Sequence, residues 1–392
     1  MSSSQHRYLP LDGLRGIAIA GVFWFHYRIV PHSPGEWGWV GVDLFFALSG
    51  YLITGILYDS RQHPGYFKNF YMRRALRIFP LYWGLWILFI LAMVIARGRF
   101  DPYFLAWPAY LGNYVDLHAL GVGLKHNFYT VLPLTIHFAG EKFKLRIGPY
   151  WSLCVEEQYY LVWPLVLRCI RDRGKLIRFC LIGMAAILAA RIVLHFTLPA
   201  VWIRDDEIYF FSPTRADTLL AGSALALWAR GERGIEGIRL PWIFTVAGLA
   251  VAGLVLSTWR WGLFHKATFA PWMQTYGFTL VAVAAAGALT AALRVPWVAR
   301  PLSWKPLVSL GAVSYGFYVF HLLFYDCDRI PIDATRGIVP AWVFHCAIFA
   351  FVWALSWFSF RFYEQPFLRL KQRFGGSEDQ KLPEPPKQAE MQ

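Results

Sequence analysis

The chain has 392 residues, of which 57% are hydrophobic and only 16% charged, against about 25% charged in a soluble domain. Aromatics reach 18%, including 19 Trp; a soluble protein of this size could not hide so much apolar surface, so the composition excludes a soluble globular enzyme and points to a multi-pass membrane protein. The formal charge of +14 implies no nucleic acid, because basic inner loops and anionic membrane lipid account for it.

In chain order, apolar runs of about the 20 residues that a bilayer requires fall near 12–31, 39–58, 76–97, 150–170, 176–197, 210–229, 240–258, 272–293, 306–326 and 339–360. These ten runs predict an all-α, polytopic membrane helix bundle. The first contains "LDGLRGIAIAGVFWFHY" and does not read as a signal peptide. Arg15 lies inside it, and "VPHSPG" after it lacks a small-x-small cleavage site. Between the third and fourth runs, "FDPYFLAWPAYLGNYV" at 100–115 has two prolines and reads as interfacial, within an outer segment 98–149.

Loop charge supports this count. With the N-terminus in the cytoplasm, the inner loops hold "RQHPGYFKNFYMRR", "RDRGK", "RGERGIEGIR", "RVPWVARPLSWK" and the tail from Arg361. The short outer loops 32–38, 198–209, 259–271 and 327–338 carry zero, one, two and two basic residues. Counting 100–115 as a span would put "RDRGK" outside. The expectation is ten transmembrane helices in the inner (cytoplasmic) cell membrane, with both termini cytoplasmic. A membrane-embedded domain fills 1–370, and 371–392, ending "GGSEDQKLPEPPKQAEMQ", reads as a polar, disordered cytoplasmic tail. No internal repeat appears. Cys154, Cys169, Cys180, Cys327 and Cys346 show no disulfide or zinc spacing and read as small apolar fillers, so no metal is expected.

Ionisable groups in a bilayer are costly and usually functional. Arg15 and His26 are eleven residues apart, a rotation of about 1100°, or about 20° past three full turns, so they share a helix face about 16 Å apart along the axis. Such a face offers a fixed cation at one end and a titratable base at the other, suited to two ends of one long ligand. Arg74 and Arg77 in "YMRRALRIFP" share a face at i,i+3, and two guanidiniums side by side suit a phosphate. For an arbitrary RxxR, plain anchoring to the inner membrane face is the commoner explanation. Near the outer face, Asp43, Glu156, Glu157 and His321 fall at a depth similar to His26. Each alone is consistent with a satisfied polar group in a bundle. Together they suggest a site in which carboxylates orient a histidine poised to take a proton from a hydroxyl. Arg191, Arg215 and Asp217 also lie in or beside apolar runs, and the sequence leaves their partners open. Asp12 sits where a carboxylate suits the positive end of the helix dipole.

The stretches "RYLPLDGLRGIAIAGVFWFHY", "GWVGVDLFFALSGYLIT", "YFKNFYMRRALRIFPLYW", "WSLCVEEQYYLVWPL", "TRADTLLAGSALA", "SYGFYVFHLLF" and "YEQPF" occur in this order. Together they resemble the acyltransferase 3 family of integral membrane acyltransferases, from about residue 7 to residue 370. Arg15 and His26 match the family's Arg-x10-His motif, and Arg74 and Arg77 its RxxR motif. The resemblance implies O-acetylation: transfer of an acyl group, commonly acetyl from acetyl-CoA, to a hydroxyl of a surface or exported glycan or a small molecule. Some members carry a further C-terminal hydrolase-like domain, and none is expected in this sequence. The implied enzyme therefore completes the transfer itself or hands the group to a partner protein.

On this reading Arg15, Arg74 and Arg77 bind the donor, and His26, Asp43, Glu156 and His321 form the candidate catalytic set. His26 acts either as a general base or as a transient acyl carrier. The expected partners are the acceptor and membrane lipids, with homo-oligomers left open. A proton-coupled transporter or a lipid or glycan flippase would also bury such charges, though it often shows repeated halves. A non-catalytic scaffold would have little reason to align Arg15 with His26.

Overall fold

A computed structural model describes residues 8–27, 37–97, 102–114, 131–138, 141–198, 207–237, 239–261, 270–325 and 340–374. Helices occupy all ten predicted apolar runs. They are α1 (Leu9–Tyr27), α2 (Val40–Ser60), α3 (Tyr66–Arg97), α4 (Trp151–Cys169), α5 (Arg173–Thr197), the single turn α6 (Glu207–Phe210), α7 (Ser212–Trp228) and α8 (Leu240–Trp261). A π-helical turn, Met273–Gly277, leads into α9 (Phe278–Arg294), followed by α10 (Pro296–Leu302), α11 (Lys305–Ala312), α12 (Ser314–Phe320), α13 (Ala341–Phe358) and α14 (Gln365–Leu370).

Six helical segments among the described residues are long and apolar enough to cross a membrane: Val40–Ser60, Tyr66–Ile95, Arg173–Thr197, Leu240–Trp261, Met273–Arg294 and Ala341–Leu370. Their outward faces carry large apolar side chains such as Ile182, Phe196 and Leu249, all mostly exposed, as a lipid-facing surface requires. The other predicted spans fall short for identifiable reasons. Polar residues dilute α1 and α4, α7 has 17 residues, and the run 306–326 is broken. Its break lies at Val313, whose backbone leaves the helical region (φ −106°, ψ 12°), and α12 stops at Phe320.

Three boundaries differ from the sequence expectation. The third helix begins at Tyr66 rather than 76, so the RxxR pair lies within a 32-residue helix containing Pro80. The last helical path runs on from α13 through a π-helical turn, Ser359–Glu364, and α14 to a 3-10 turn, Lys371–Phe374. The start of the expected tail is therefore ordered, while 375–392 lies outside the described residues. The third difference is local to one connection of an otherwise helical bundle. The segment 98–149 contains an antiparallel hairpin, β1 (Val131–Phe138) and β2 (Glu141–Arg146), with Thr135 opposite Lys144 and Phe138 opposite Glu141. Its first strand, "VLPLTIHF", is rich in β-branched and aromatic residues. Within 102–114 there are only short 3-10 pieces and turns; Tyr82 donates to the Trp107 carbonyl at 2.8 Å and ties this segment to α3.

Two close helix crossings position the site. Gly50 of α2 faces the Leu219 carbonyl of α7, and Gly222 of α7 faces the Ala47 carbonyl of α2; a Cβ at either would collide with backbone, so small residues let these helices touch. The seam is hydrogen-bonded: Thr54 donates to Ser223 and Trp163 donates to Thr54, both at 2.7 Å. Gly311 meets the Asp12 carbonyl in the same way, bringing α11 against α1 just below Arg15.

Candidate active site

The last turn of α1 carries His26, and the turn after α12 carries His321. Their rings lie 5.0 Å apart, with His321 Nε2 3.4 Å from His26 Nδ1. The contacts define the tautomers. His26 Nδ1 is 2.8 Å from the Val22 carbonyl, and His321 Nδ1 is 2.6 Å from the Tyr318 carbonyl. A carbonyl only accepts, so each Nδ1 carries the proton and each lone pair sits on Nε2. His26 Nδ1–H is then shared between Val22 O and His321 Nε2, and the His26 lone pair lies on Nε2. Tyr27 locks the pair by donating to the His321 carbonyl at 2.7 Å. Its ring stacks on Phe23 at 4.1 Å. Tyr150 donates to the Val319 carbonyl at 2.8 Å, holding the end of α12 from the other side. His321 is fully buried, whereas His26 is partly accessible.

Toward the other end of α1 the chemistry is cationic. Arg15 pairs with Asp12 at 2.9 Å. Arg77 lies within electrostatic reach of Arg15 and Arg74, with Glu364 and Tyr160 as its other charged or polar neighbours. Arg74 rests over the Tyr160 ring at 4.4 Å. Arg77 is exposed, and Arg74 one turn before it is half-buried. Ser49 donates to Glu156 at 2.6 Å, and Glu156 also lies near Arg74, Arg15 and Tyr160. Glu157 sits beside Arg74 and Glu156; its Oε1 is buried without a hydrogen bond among the described residues. Glu364 is buried and accepts from Ser359 at 3.2 Å.

A third group is buried and paired. Arg215 Nη2 donates to both oxygens of Asp43 at 2.9 and 3.0 Å, and Thr218 donates to the same carboxylate at 3.1 Å. The Arg215 guanidinium lies 4.1 Å from the Phe278 ring and 4.8 Å from that of Tyr209. Arg191 reaches Asp217 at 2.7 Å, the Thr214 carbonyl at 2.7 Å and the Thr279 hydroxyl. Arg215 and Asp217 therefore do not pair with each other; each crosses to another helix. All four charged side chains are buried.

The expected cluster of Asp43, Glu156, Glu157 and His321 around His26 is thus divided. His321 does lie beside His26. Asp43 is held instead by Arg215 and Thr218, because α2 and α7 cross so closely that the buried guanidinium takes the nearest carboxylate. Glu156 and Glu157 stand with the arginines, since α4 turns that face toward Arg74 and Ser49. Arg15, Arg74 and Arg77 come together. Tyr27, Glu364 and His345, whose ring lies 5.7 Å from that of Tyr27, were not singled out by the sequence. The one signal for His345 and Glu364 was an ionisable residue in or beside an apolar run.

Residues 9–361 match a family model described as an acyltransferase domain. Among curated proteins, the chain is 29% identical over 343 residues to YrhL of Bacillus subtilis (strain 168), provisionally named a peptidoglycan O-acetyltransferase, covering 81% of this chain and 49% of that protein. It is 25% identical over 374 residues to the peptidoglycan O-acetyltransferase OatA of Listeria monocytogenes, covering 92% and 56%. It is 27% identical over 374 residues to the O-acetyltransferase OatA of Staphylococcus aureus (strain NCTC 8325 / PS 47), covering 92% and 57%. The chain spans about half the length of these relatives. No solved structure matches it.

Proposed function

Because the chain belongs to the acyltransferase 3 family, we propose that it is a membrane O-acetyltransferase that moves an acetyl group from acetyl-CoA to a hydroxyl of a cell-surface glycan. The observation that carries this reading is the layout of α1. One unbroken helix presents a basic imidazole at one end and joins Arg74 and Arg77 through Arg15 at the other, about 16 Å along the axis by helix geometry. A thioester donor with a phosphate-bearing nucleotide at its far end has matching chemistry at both ends. Arg15, Arg74 and Arg77 hold the phosphates; guanidiniums grip such oxygens two at a time. The acceptor hydroxyl loses its proton to His26 Nε2 as its oxygen bonds to the thioester carbonyl carbon. The carbon–sulfur bond then breaks, and the proton passes from His26 to the departing thiolate. His321 and Tyr27 position His26 for this. The names of the relatives make peptidoglycan the first acceptor to assay.

In this reading all ten helical runs cross the inner cell membrane with both termini in the cytoplasm. The polar helices α1 and α4 are tolerated because their charged groups turn into the bundle while Ile17, Trp24, Leu161, Val162 and Leu165 face outward. Support comes from the basic inner loops "RDRGK" and "RGERGIEGIR".

The test is release of CoA by the purified protein given acetyl-CoA and candidate glycan acceptors, alongside calorimetric CoA binding. Arg77→Ala and Arg74→Ala should each weaken CoA binding about tenfold to a hundredfold, the loss of a charged hydrogen bond worth about 1.5–3 kcal/mol. Wild-type affinity in both folded variants would leave these arginines as membrane anchors.

A further inference from the structure

The cationic end of the site has one more member on a separate element. After α14 the 3-10 turn Lys371–Phe374 folds back onto α3, where Lys371 is half-buried. The charged groups facing it from α3 are Arg77, Arg74 and Arg73. Arg369 and Arg373 flank it on its own segment. Glu364, the nearest acid on that path, faces Arg77 and is engaged by Ser359. Among the described residues no ion pair joins Lys371 to a carboxylate.

Like charges brought together in a half-buried place repel, and burial adds its own cost for a cation. A guanidinium stays protonated regardless, but a lysine can shed its proton. Burial first, and then the three arginines, push the Lys371 ammonium down to about 6. Glu156, Glu157 and Glu364 lie near Arg74 and Arg77, but no carboxylate is among the groups that act on Lys371, and a polyanion would relieve the repulsion there.

We propose that Lys371 is a phosphate ligand: returned onto α3 by the turn Lys371–Phe374, it completes with Arg74 and Arg77 a receptor for the phosphates of a soluble polyphosphate-bearing nucleotide. The claim rests on the donor reading above only for the identity of that nucleotide. The direction of the pH effect follows. Between about 6 and the ordinary lysine value of about 10.4, the empty site holds Lys371 largely neutral while the bound site holds it charged. Binding therefore takes up a proton, and affinity falls as pH rises through that window, by at most about tenfold per unit.

The test uses the full chain in phosphatidylcholine nanodiscs, titrated with inorganic pyrophosphate and with CoA at pH 7.5. Two buffers of different ionisation heat report the protons taken up. The wild type should take up close to one proton more per ligand than Lys371→Met, the ligand's own ionisation being common to both. Lys371→Met should bind about tenfold more weakly, the loss of one charged contact, and lack that proton. Lys371→Arg keeps the charge and the fold, and should bind without that extra proton. Unchanged affinity and uptake in Lys371→Met would overturn the assignment. So would a Lys371 effect that appears only with phosphatidylglycerol nanodiscs, which would mark a lipid headgroup site. If pyrophosphate shows the Lys371 dependence but CoA does not bind, Lys371 stands and the donor reading falls. If CoA binding depends on Arg77 but not on Lys371, only the present inference falls.

Discussion

At the scale of single residues, the histidine pair and the buried ion pair make opposite predictions. His26 presents its Nε2 lone pair because Nδ1–H is taken by Val22 and shared with His321. His26→Ala should cut acyl transfer by about 10²–10⁴-fold, the usual worth of a general base, while CoA affinity stays near wild type. Tyr27→Phe removes only the bond to the His321 carbonyl and should lower turnover more mildly. Transfer at the wild-type rate in His26→Ala would pass the role of base to His321. Asp43 belongs to a different class. Its carboxylate neutralises a fully buried Arg215, and removing one partner of such a pair costs about 3–5 kcal/mol. Asp43→Asn should therefore lower the thermal midpoint in detergent and leave CoA affinity of the folded fraction unchanged. The double change Asp43→Leu with Arg215→Met should recover most of the loss. A normally stable Asp43→Asn protein without turnover would return Asp43 to the catalytic set.

At the scale of elements, the site depends on helices that touch at glycines. Gly222 meets the Ala47 carbonyl, whereas Gly248 of α8 has no atom near its would-be Cβ. Gly222→Val must push α7 from α2, and overpacking of this kind costs about 1–3 kcal/mol. Gly248→Val should be close to neutral and serves as the control. Equal thermal midpoints for the two variants would show that the crossing yields easily. The run from Lys305 to Phe320 breaks at Val313, and His321, whose N–H still bonds to the Phe317 carbonyl, caps α12 beside His26.

At the scale of the whole molecule, topology decides whether the two chemical ends of α1 face different compartments. With both termini cytoplasmic, a membrane-impermeant thiol reagent outside the cell should label a cysteine introduced within 120–140 and spare one at 65. The reverse pattern would invert the bundle and put the arginine cluster on the side without CoA. The hairpin from Val131 to Arg146 belongs to the outer side in this arrangement.

The sequence by itself determined the membrane-helix class and the position of each apolar run. Both follow from local hydropathy, which needs no knowledge of what packs against what. It also determined that Arg15 and His26 share a face and that Arg74 neighbours Arg77, because helical periodicity is a property of one segment. It could not say which segments meet. Asp43, Glu156 and His321 seemed alike by depth, yet tertiary structure gave Asp43 to Arg215, Glu156 to the arginines and His321 to His26. Depth is one coordinate, and pairing depends on the rotation and crossing of separate helices, set here by backbone contacts at Gly50, Gly222 and Gly311. Lys371 was read as the first residue of a disordered tail. Only the return of the chain onto α3 brought it to Arg77, since nothing local to "LRLKQRF" encodes what that turn will land on.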